Sequence, residues 1–338
     1  MYNIKQINLE MHVFPILLVL IAIIQIGRSA DCKKEIKCQI SRVFGMRAAD
    51  CSNRVFRSFP QCLRADIEVI DLAMNRIRRL RYSDLKRYRH LKALYLQDNL
   101  LSTIAADTFD GLDDLTGLDL SGAVTIKIPE NIFHLPSLQT LYLSNQLFTN
   151  IVEAIEKTKP ITSPLAHLDL SYSELERLPN MGVLPTLLKY NVSGNNLTEL
   201  RVEHFSGLCG LNYLINQNIN LSLSNPCDCW SVNNWLKNKV TDFTPFDCQL
   251  KENLCESVPF NISDIVTHQD CRIKLKEIST RTFMRKVLLP AAIAFIIILV
   301  CVVCYCRRRR RLNKPPQYRI PAEEESVNSF PLKKFENS

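Results

Sequence analysis

Apolar residues recur with one spacing through the middle of the chain, from Ile67 to about Asn225. The repeated pattern is L-x-x-L-x-L-x-x-N-x-L, and it begins at Ile67, Leu91, Leu115, Leu138, Leu165, Leu187 and Leu211. Successive starts lie 22 to 27 residues apart. Positions 4 and 6 of each copy are two residues apart, as on one face of a β-strand. The pattern therefore predicts one short strand per copy, which buries positions 4 and 6 and shows its other face.

A single copy cannot bury its apolar face alone, so neighbouring copies must stack into one continuous core. A period of roughly 20 to 29 residues with this motif resembles the leucine-rich repeat family. The resemblance covers about half of the chain and implies an α/β solenoid, a curved right-handed horseshoe of about seven repeats at residues 67–224. It also implies that the ninth-position asparagines satisfy backbone groups in the turn after each strand, namely Asn75, Asn99 and Asn195.

Ten of the 13 cysteines lie outside the apolar segments, and an even number in a secreted segment predicts disulfides. Four of them precede the first copy, within residues 31–66, and resemble the N-terminal cysteine cap of extracellular leucine-rich repeat proteins: Cys32, Cys38, Cys51 and Cys62. Four cysteines allow three pairings, so their connectivity stays open. A cap is needed because an uncovered first repeat would expose an apolar edge.

Residues 225–271 resemble the C-terminal cysteine cap of the same family, through the run Asn225-Pro-Cys-Asp-Cys-Trp230. Residue by residue, the resemblance implies the bonds Cys227–Cys255 and Cys229–Cys271. The alternative for a C-x-C sequence is a zinc site, which an oxidising compartment without clustered histidines disfavours. Cys209 and Cys248 remain, and we expect them to join each other; the alternative is two free buried thiols.

Two long apolar segments lie outside the repeats. Val13–Ile26, followed by small residues, predicts a secretory signal peptide within residues 1–29, with an uncleaved anchor as the alternative. Val287–Cys306 carries no charge, is long enough to cross a bilayer and is followed at once by Arg307–Arg311. A polar stalk, residues 272–286, precedes it. Together these features predict a single-pass type I protein of the plasma membrane, with its N-terminus extracellular.

The net charge of +8 lies mostly in the tail after Cys306, which contributes +5. An anionic inner leaflet explains this charge, so no nucleic-acid partner is implied. The tail, residues 307–338, is polar and predicted to be disordered. It contains a P-P-x-Y sequence that predicts a WW-domain partner, or is a chance match: Pro315, Pro316 and Tyr318. Cys304 and Cys306 are candidate palmitoylation sites or plain residues of the span.

The sequence contains no catalytic constellation. The six histidines are scattered, and there is no G-x-S-x-G, phosphate-binding loop or H-E-x-x-H sequence. We therefore predict a protein that is not an enzyme and has no cofactor and no metal. Four sequons in the predicted ectodomain indicate N-glycosylation: Asn191, Asn196, Asn220 and Asn261.

The remaining candidate for a functional site is a binding surface. Strand positions 3, 5 and 7 are predicted to point away from the core, onto the concave face. Position 5 reads Asp71, Tyr95, Asp119, Tyr142, Asp169, Asn191 and Ile215. Tyr95 and Tyr142 are the sharpest ligand-binding candidates, since tyrosine is enriched at binding hot spots. Asp71, Asp119 and Asp169 are weaker candidates, because L-D-L-S is a common form of this repeat. His167, at position 3, is expected to be solvated surface.

These features predict a cell-surface recognition or adhesion receptor that binds an extracellular or membrane protein ligand through the concave face. The alternative is an auxiliary subunit of an ion channel or receptor complex that acts through its membrane helix. The layout is similar to the gamma subunits of calcium-activated potassium channels, and Pro290 would kink a helix that packs on a partner.

Overall fold

The computed structural model describes residues 38–123, 127–145, 151–248, 255 and 259–312. The predicted signal peptide, Cys32 and the P-P-x-Y sequence lie outside the described residues. The chain divides into two compact units, the first running to Ile278 and the second beginning at Ser279.

Most strands of the described chain belong to one ten-stranded sheet, in the order β1-β2-β3-β5-β7-β8-β9-β10-β12-β14. Strands β1 and β2 form an antiparallel hairpin, and the other neighbours are parallel. Two small parallel pairs, β4–β6 and β11–β13, lie outside this sheet. The strands are β1 Gln39–Val43, β2 Met46–Asp50, β3 Val69–Asp71, β4 Arg79–Leu80, β5 Ala93–Tyr95, β6 Thr103–Ile104, β7 Gly117–Asp119, β8 Thr140–Tyr142, β9 His167–Asp169, β10 Lys189–Asn191, β11 Asn196–Leu197, β12 Tyr213–Ile215, β13 Asn220–Leu221 and β14 Asp242–Phe243.

Each copy of the sequence pattern contains one strand of the large sheet, at positions 3 to 5, and neighbouring copies pair position for position. The position-4 side chains point into the core and are at most 3% exposed: Ile70, Leu94, Leu118, Leu141, Leu168, Tyr190 and Leu214. Alternation along a strand then turns positions 3 and 5 to the opposite face. This is the solenoid-type arrangement that the apolar spacing predicts.

Short helices and irregular segments return the chain from one strand to the next. Their apolar anchors close the far side of the core, with Phe109, Phe133 and Phe205 all buried. The helices are α1 Tyr82–Leu85, α2 Ile151–Lys157, α3 Glu203–Ser206, α4 Cys227–Lys237, α5 Ile262–Phe283 and α6 Leu289–Leu312, with a 3₁₀ helix at Glu130–His134.

The ninth-position asparagines satisfy the backbone, as the resemblance implies. Asn75 is buried, and its Oδ1 accepts the N–H groups of Arg54 and Phe56 at 3.0 and 2.9 Å. Asn195 does the same for Ser173 and Leu175 at 3.1 and 3.0 Å. A side chain with both donors and an acceptor is needed at this place, because buried backbone groups without partners are costly.

The eighth position of every copy has a positive φ, between 52° and 68°, in the turn after the strand. Four of these residues are Gly or Asn, which tolerate this conformation. The other three are Asp98, Met74 and Tyr172; the last two are bulky, and both of their side chains are more than half exposed. The turn imposes its backbone geometry whatever the residue is.

Four disulfides join described cysteines: Cys38–Cys51, Cys209–Cys271, Cys227–Cys255 and Cys229–Cys248. Cys62 is also disulfide-bonded. The Cys227–Cys255 bond agrees with the resemblance. The expected bonds Cys229–Cys271 and Cys209–Cys248 are wrong.

The positions of helices α4 and α5 explain why the observed disulfides differ from the expected ones. The first turns of α5 meet the last repeat, where the Cys209 N–H donates to the Cys271 Sγ at 3.1 Å. His268 Nδ1 lies 3.2 Å from the Ser206 carbonyl oxygen nearby. Helix α5 therefore places Cys271 beside Cys209 of the last repeat and not beside Cys229 of α4.

Helix α4 is fastened to the segment after β14. The Asn233 amide donates to the Phe246 carbonyl and accepts its N–H, both at 2.9 Å. This pairing places Cys248, two residues further on, beside Cys229. A sequence motif alone does not show which of these segments comes nearer.

The predicted polar stalk is helical and not extended, because α5 continues to Phe283 and a π-helical turn follows at Met284–Leu288. A helix rises about 1.5 Å per residue, less than half the rise of an extended chain. Among the described residues, one helical stretch, Ile262–Arg309, is long and apolar enough to cross a membrane. The apolar side chains of α6 are exposed, as at Phe295 and Ile298.

Candidate binding face

The candidate site is the side of the large sheet opposite the core, formed by positions 3 and 5 of the repeat strands; we call it the polar face. In position 5, the in-register pairing brings the five predicted candidates into one column: Asp71, Tyr95, Asp119, Tyr142 and Asp169. All five are partly exposed. The structure thus brings together every residue that the sequence singled out as ligand-binding.

Position 7 meets the expectation only in part: Gln97, Ser121 and Ser144 are partly exposed and Gln217 is exposed, but the other three residues are buried. The strands end at position 5, and the chain turns immediately afterwards. Ala73, Ser171 and Ser193 are buried, at 1%, 4% and 5% exposed. Val69, at position 3, is also buried at 9%.

His167 is a neighbour of the tyrosines that sequence reasoning assigned to solvated surface. Its ring lies edge-on to that of Tyr142, with centroids 4.9 Å apart and planes at 76°. Burial lowers the pKa of His167, and the nearby positive charge of Lys189 lowers it further. His167 therefore adds a neutral aromatic ring to the polar face at pH 7. The signal in the sequence is that His167 and Tyr142 belong to adjacent copies, which come together once the strands are paired in register.

The aspartates are held by local hydrogen bonds. Asp71 and Asp119 each accept the N–H group two residues further on, at 2.9 Å. Asp169 accepts both the N–H and the hydroxyl of Ser171, and its Oδ2 accepts the Asn191 amide at 3.0 Å. These bonds brace the turn after the strand, so the aspartates have a structural role whether or not they contact a ligand.

Burial raises the pKa of Asp71 and of Asp119 above the usual range for aspartate. Neighbouring negative charges act in the same direction, Asp50 on Asp71, and Asp169 and Asp98 on Asp119. The pKa of Tyr142 is raised by burial first and then by Asp119 and Asp169. The middle of the column is therefore a partly desolvated place with excess negative charge.

The sequons mostly avoid the polar face. Asn196 and Asn220 are exposed and lie opposite each other in the β11–β13 pair. Asn261 is exposed before α5. Asn191 is the sequon that lies in the position-5 column, where its amide is bonded to Asp169.

One cluster in the described chain has the composition of a metal site: Glu199, Glu203 and His204, with ligand atoms within 4.8 Å of one another. Arg201 already forms ion pairs with both glutamates, at 3.1 and 3.6 Å. The His204 Nδ1 accepts the Arg201 N–H, which leaves the ring proton on Nε2. A ring in that state offers a metal no free nitrogen, so the cluster is explained by its ion pairs.

Comparison with known proteins points to the family that the sequence pattern resembles and that the stacked strands fit. The family described as leucine rich repeat matches residues 66–124 and 89–148. Tsukushi of Gallus gallus is 28% identical over 197 residues, covering 51% of this chain and 53% of that protein. Toll-like receptor 2 type-1 of Gallus gallus is 26% identical over 170 residues, covering 50% and 21%. Leucine-rich repeat-containing G-protein coupled receptor 5 of Homo sapiens is 28% identical over 118 residues, covering 35% and 13%.

The chain contains leucine-rich repeats. The matches, the disulfides and the apolar helix fit an extracellular leucine-rich repeat protein with one transmembrane helix. The chain spans about half the length of the Tsukushi that it matches and about a fifth of Toll-like receptor 2 type-1. Two of the three relatives are named as receptors, and such likeness supports a role in protein interaction at or outside the cell surface.

Proposed function

We propose that this protein is a cell-surface recognition or adhesion receptor that binds an extracellular protein ligand through the polar face. The observation that carries the proposal is the column of Tyr95, Asp119 and Tyr142 on one rigid, in-register sheet. Tyrosines supply contact area at a small cost in conformational entropy, and aspartates supply charge selectivity. Binding should centre on the first four repeats, away from the sequon at Asn191.

The proposal includes an architecture. Residues 67–224 form a curved horseshoe of about seven repeats, with the polar face as its concave side, between cysteine caps at 31–66 and 225–271. A stalk, a transmembrane helix and a cytoplasmic tail follow at 272–286, 287–306 and 307–338, in a type I protein of the plasma membrane. The four sequons carry glycans on the extracellular side. The support comes from the disulfides, the apolar helix and the run of arginines after it.

A second function is an auxiliary subunit that acts through the membrane helix. The observation in its favour is the π-helical turn at Met284–Leu288, in which the Leu289 N–H bonds to the Met284 carbonyl. Pro290 follows directly, and a proline removes a backbone donor and kinks a helix. Single π-helical turns are frequent at functional sites. An apolar helix with such an irregularity offers a shaped surface to another membrane helix.

Proximity labelling on living cells separates the two functions. The full chain, with a peroxidase fused on its extracellular side, is compared with a chimera that keeps residues 279–338 below an unrelated extracellular domain. The receptor function predicts labelled extracellular proteins that the chimera loses. If the chimera labels the same proteins, the membrane helix is the binding element and the auxiliary-subunit function replaces the first.

A further inference from the structure

In the middle of the position-5 column a short side chain stands between two long ones, and we call this place the slot. The pairing of β5 with β7 and of β7 with β8 places Asp119 directly between Tyr95 and Tyr142. Two strand spacings separate the Cα atoms of the tyrosines, roughly 10 Å. Two rings that far apart leave room between them, and Tyr142 makes its ring contact with His167 on its other side. The shorter Asp119 side chain forms the floor.

The slot is open beside Asp119 because position 3 of the same strand is Gly117. A Cβ atom built at Gly117 would meet only the Ala93 Cβ, at an ordinary 3.9 Å. The backbone there is regular strand, so nothing in the fold demands glycine. The missing side chain leaves the carboxylate accessible from the side as well as from above.

The carboxylate in the slot has no positive partner within the described chain. Other acids near this face do: Glu68 pairs with Lys92 at 2.6 Å. Asp169 lacks a cation but has the Asn191 amide as a third hydrogen-bond donor. A charge that is partly removed from water and not compensated is unfavourable in the free protein. A cation arriving from outside would compensate it.

We propose that the slot formed by Tyr95, Gly117, Asp119 and Tyr142 receives a lysine or arginine side chain of the extracellular protein ligand. The proposal rests on the proposed function and names the chemistry of its partner. The cation pairs with the Asp119 carboxylate, and the two tyrosine rings contact it from the sides. The roughly 10 Å between the two Cα atoms is less than twice the distance of about 6 Å within which a cation and an aromatic ring attract each other.

The chain offers a matched control for the carboxylate. Asp71 and Asp119 occupy the same column, accept the same local N–H bond and have pKa values raised by burial. Asp71 lies between Asp50 and one tyrosine, however, and its strand carries Val69 at position 3. Asp119→Asn should therefore lower binding of a cation, and Asp71→Asn should not. Asparagine keeps the local acceptor and removes a desolvated charge, so neither variant should lower the melting temperature.

The test selects a phage-displayed random dodecapeptide library on the full chain in phosphatidylcholine nanodiscs at physiological salt. We expect the retained peptides to be enriched in lysine and arginine on the wild type and on Asp71→Asn. Their affinity should fall about tenfold on Asp119→Asn and about three- to tenfold on Tyr95→Ala or Tyr142→Ala. Gly117→Leu, which fills the slot, should match Asp119→Asn.

Two results would overturn the proposal in different ways. Retained peptides without an excess of basic residues, or equal binding by Asp119→Asn and Asp71→Asn, would refute the slot and leave the polar face as a binding surface. Retention of no peptide by the wild type would refute both the slot and the proposed use of the polar face.

Discussion

At the scale of single residues, Tyr190 stands out in the core. It occupies position 4 of its copy, where the other six strands carry isoleucine or leucine, and it is fully buried. Its hydroxyl has no hydrogen-bond partner among the residues that the structure describes. Burial alone raises the pKa of Tyr190 far above its usual value, so the hydroxyl stays neutral. A buried polar group without a partner costs free energy that a phenyl ring would not.

Tyr190→Phe should therefore raise the free energy of unfolding by about 1 kcal/mol. Tyr88 gives the control, because it is equally buried but its hydroxyl donates to the Leu63 carbonyl at 3.4 Å. Tyr88→Phe should lower the free energy of unfolding by about 0.5–1.5 kcal/mol. Urea unfolding of both variants measures the difference. Destabilisation by Tyr190→Phe would mean that the hydroxyl has a buried partner after all.

A second residue-scale feature is the contact between Tyr172 and Gly194, the eighth positions of neighbouring copies. Gly194 has φ 67°, and a Cβ there would lie 2.3 Å from the Tyr172 Cδ1 atom. Alanine would have to adopt an unfavourable backbone conformation and displace the ring at the same time. Other copies accept a side chain at this position, so the clash with the Tyr172 ring is what distinguishes Gly194.

Gly194→Ala should cost roughly 2 kcal/mol or more of folding free energy. Gly45→Ala isolates the backbone component, because Gly45 has φ 82° and nothing within 4 Å of its Cβ position. That variant should cost only about 1 kcal/mol. Thermal unfolding of the pair separates the two contributions. Equal losses would show that Tyr172 moves aside freely.

At the scale of elements, the short helix α3 contains a buried histidine. His204 is 2% exposed, and burial, followed by the positive charge of Arg177, lowers its pKa to about 4. An unfolded histidine titrates near 6.5. Between these values the unfolded chain binds a proton that the folded chain does not, so stability rises with pH and is lost as the pH falls.

Acidification from pH 7 to pH 5 should therefore remove roughly 2 kcal/mol through His204 alone. His204→Asn keeps an acceptor for the Arg201 N–H and has no titratable ring. Denaturant unfolding at several pH values should show a shallower pH dependence in this variant than in the wild type. Parallel pH profiles would contradict the lowered pKa.

A second prediction at the scale of elements concerns which cysteines of the C-terminal cap are linked. Peptide mapping of the unreduced protein should recover Cys209 linked to Cys271 and Cys229 linked to Cys248. The reason is geometric, since α5 meets the last repeat and α4 meets the segment after β14. Recovery of Cys229 linked to Cys271 would restore the pairing implied by the family resemblance.

The repeats could be read from the sequence, but two of the three disulfides of the C-terminal cap could not, for a physical reason. A strand's burial follows from local alternation, so Leu118 and Leu141 reveal their place without any knowledge of the rest. The role of the turn asparagines is implied by the family resemblance, and the hydrogen bonds of Asn75 and Asn195 confirm it. Disulfide pairing depends on which distant segments meet, as Cys271 and Cys209 do. The contact of His167 with Tyr142 becomes visible only once the strands are placed in register.

At the scale of the whole molecule, the two units carry different chemistry. The first contains the polar face, and the described disulfides lie in it. The second contains α6, with exposed apolar side chains and the arginines that follow them. A broad, rigid, partly desolvated surface suits recognition of a protein. The proposed function therefore assigns binding to the polar face, and within it to the first four repeats.

The most direct measurement is quantitative proximity labelling by the full chain on living cells, with paired tyrosine variants. Tyr95→Ala combined with Tyr142→Ala should lose most of the extracellular proteins that the wild type labels, at unchanged surface expression. Tyr213→Ala is the control, because Tyr213 is a half-exposed tyrosine in the last repeat strand, away from the slot. It should label as the wild type does. An unchanged set of labelled proteins with the double variant would contradict binding through the polar face.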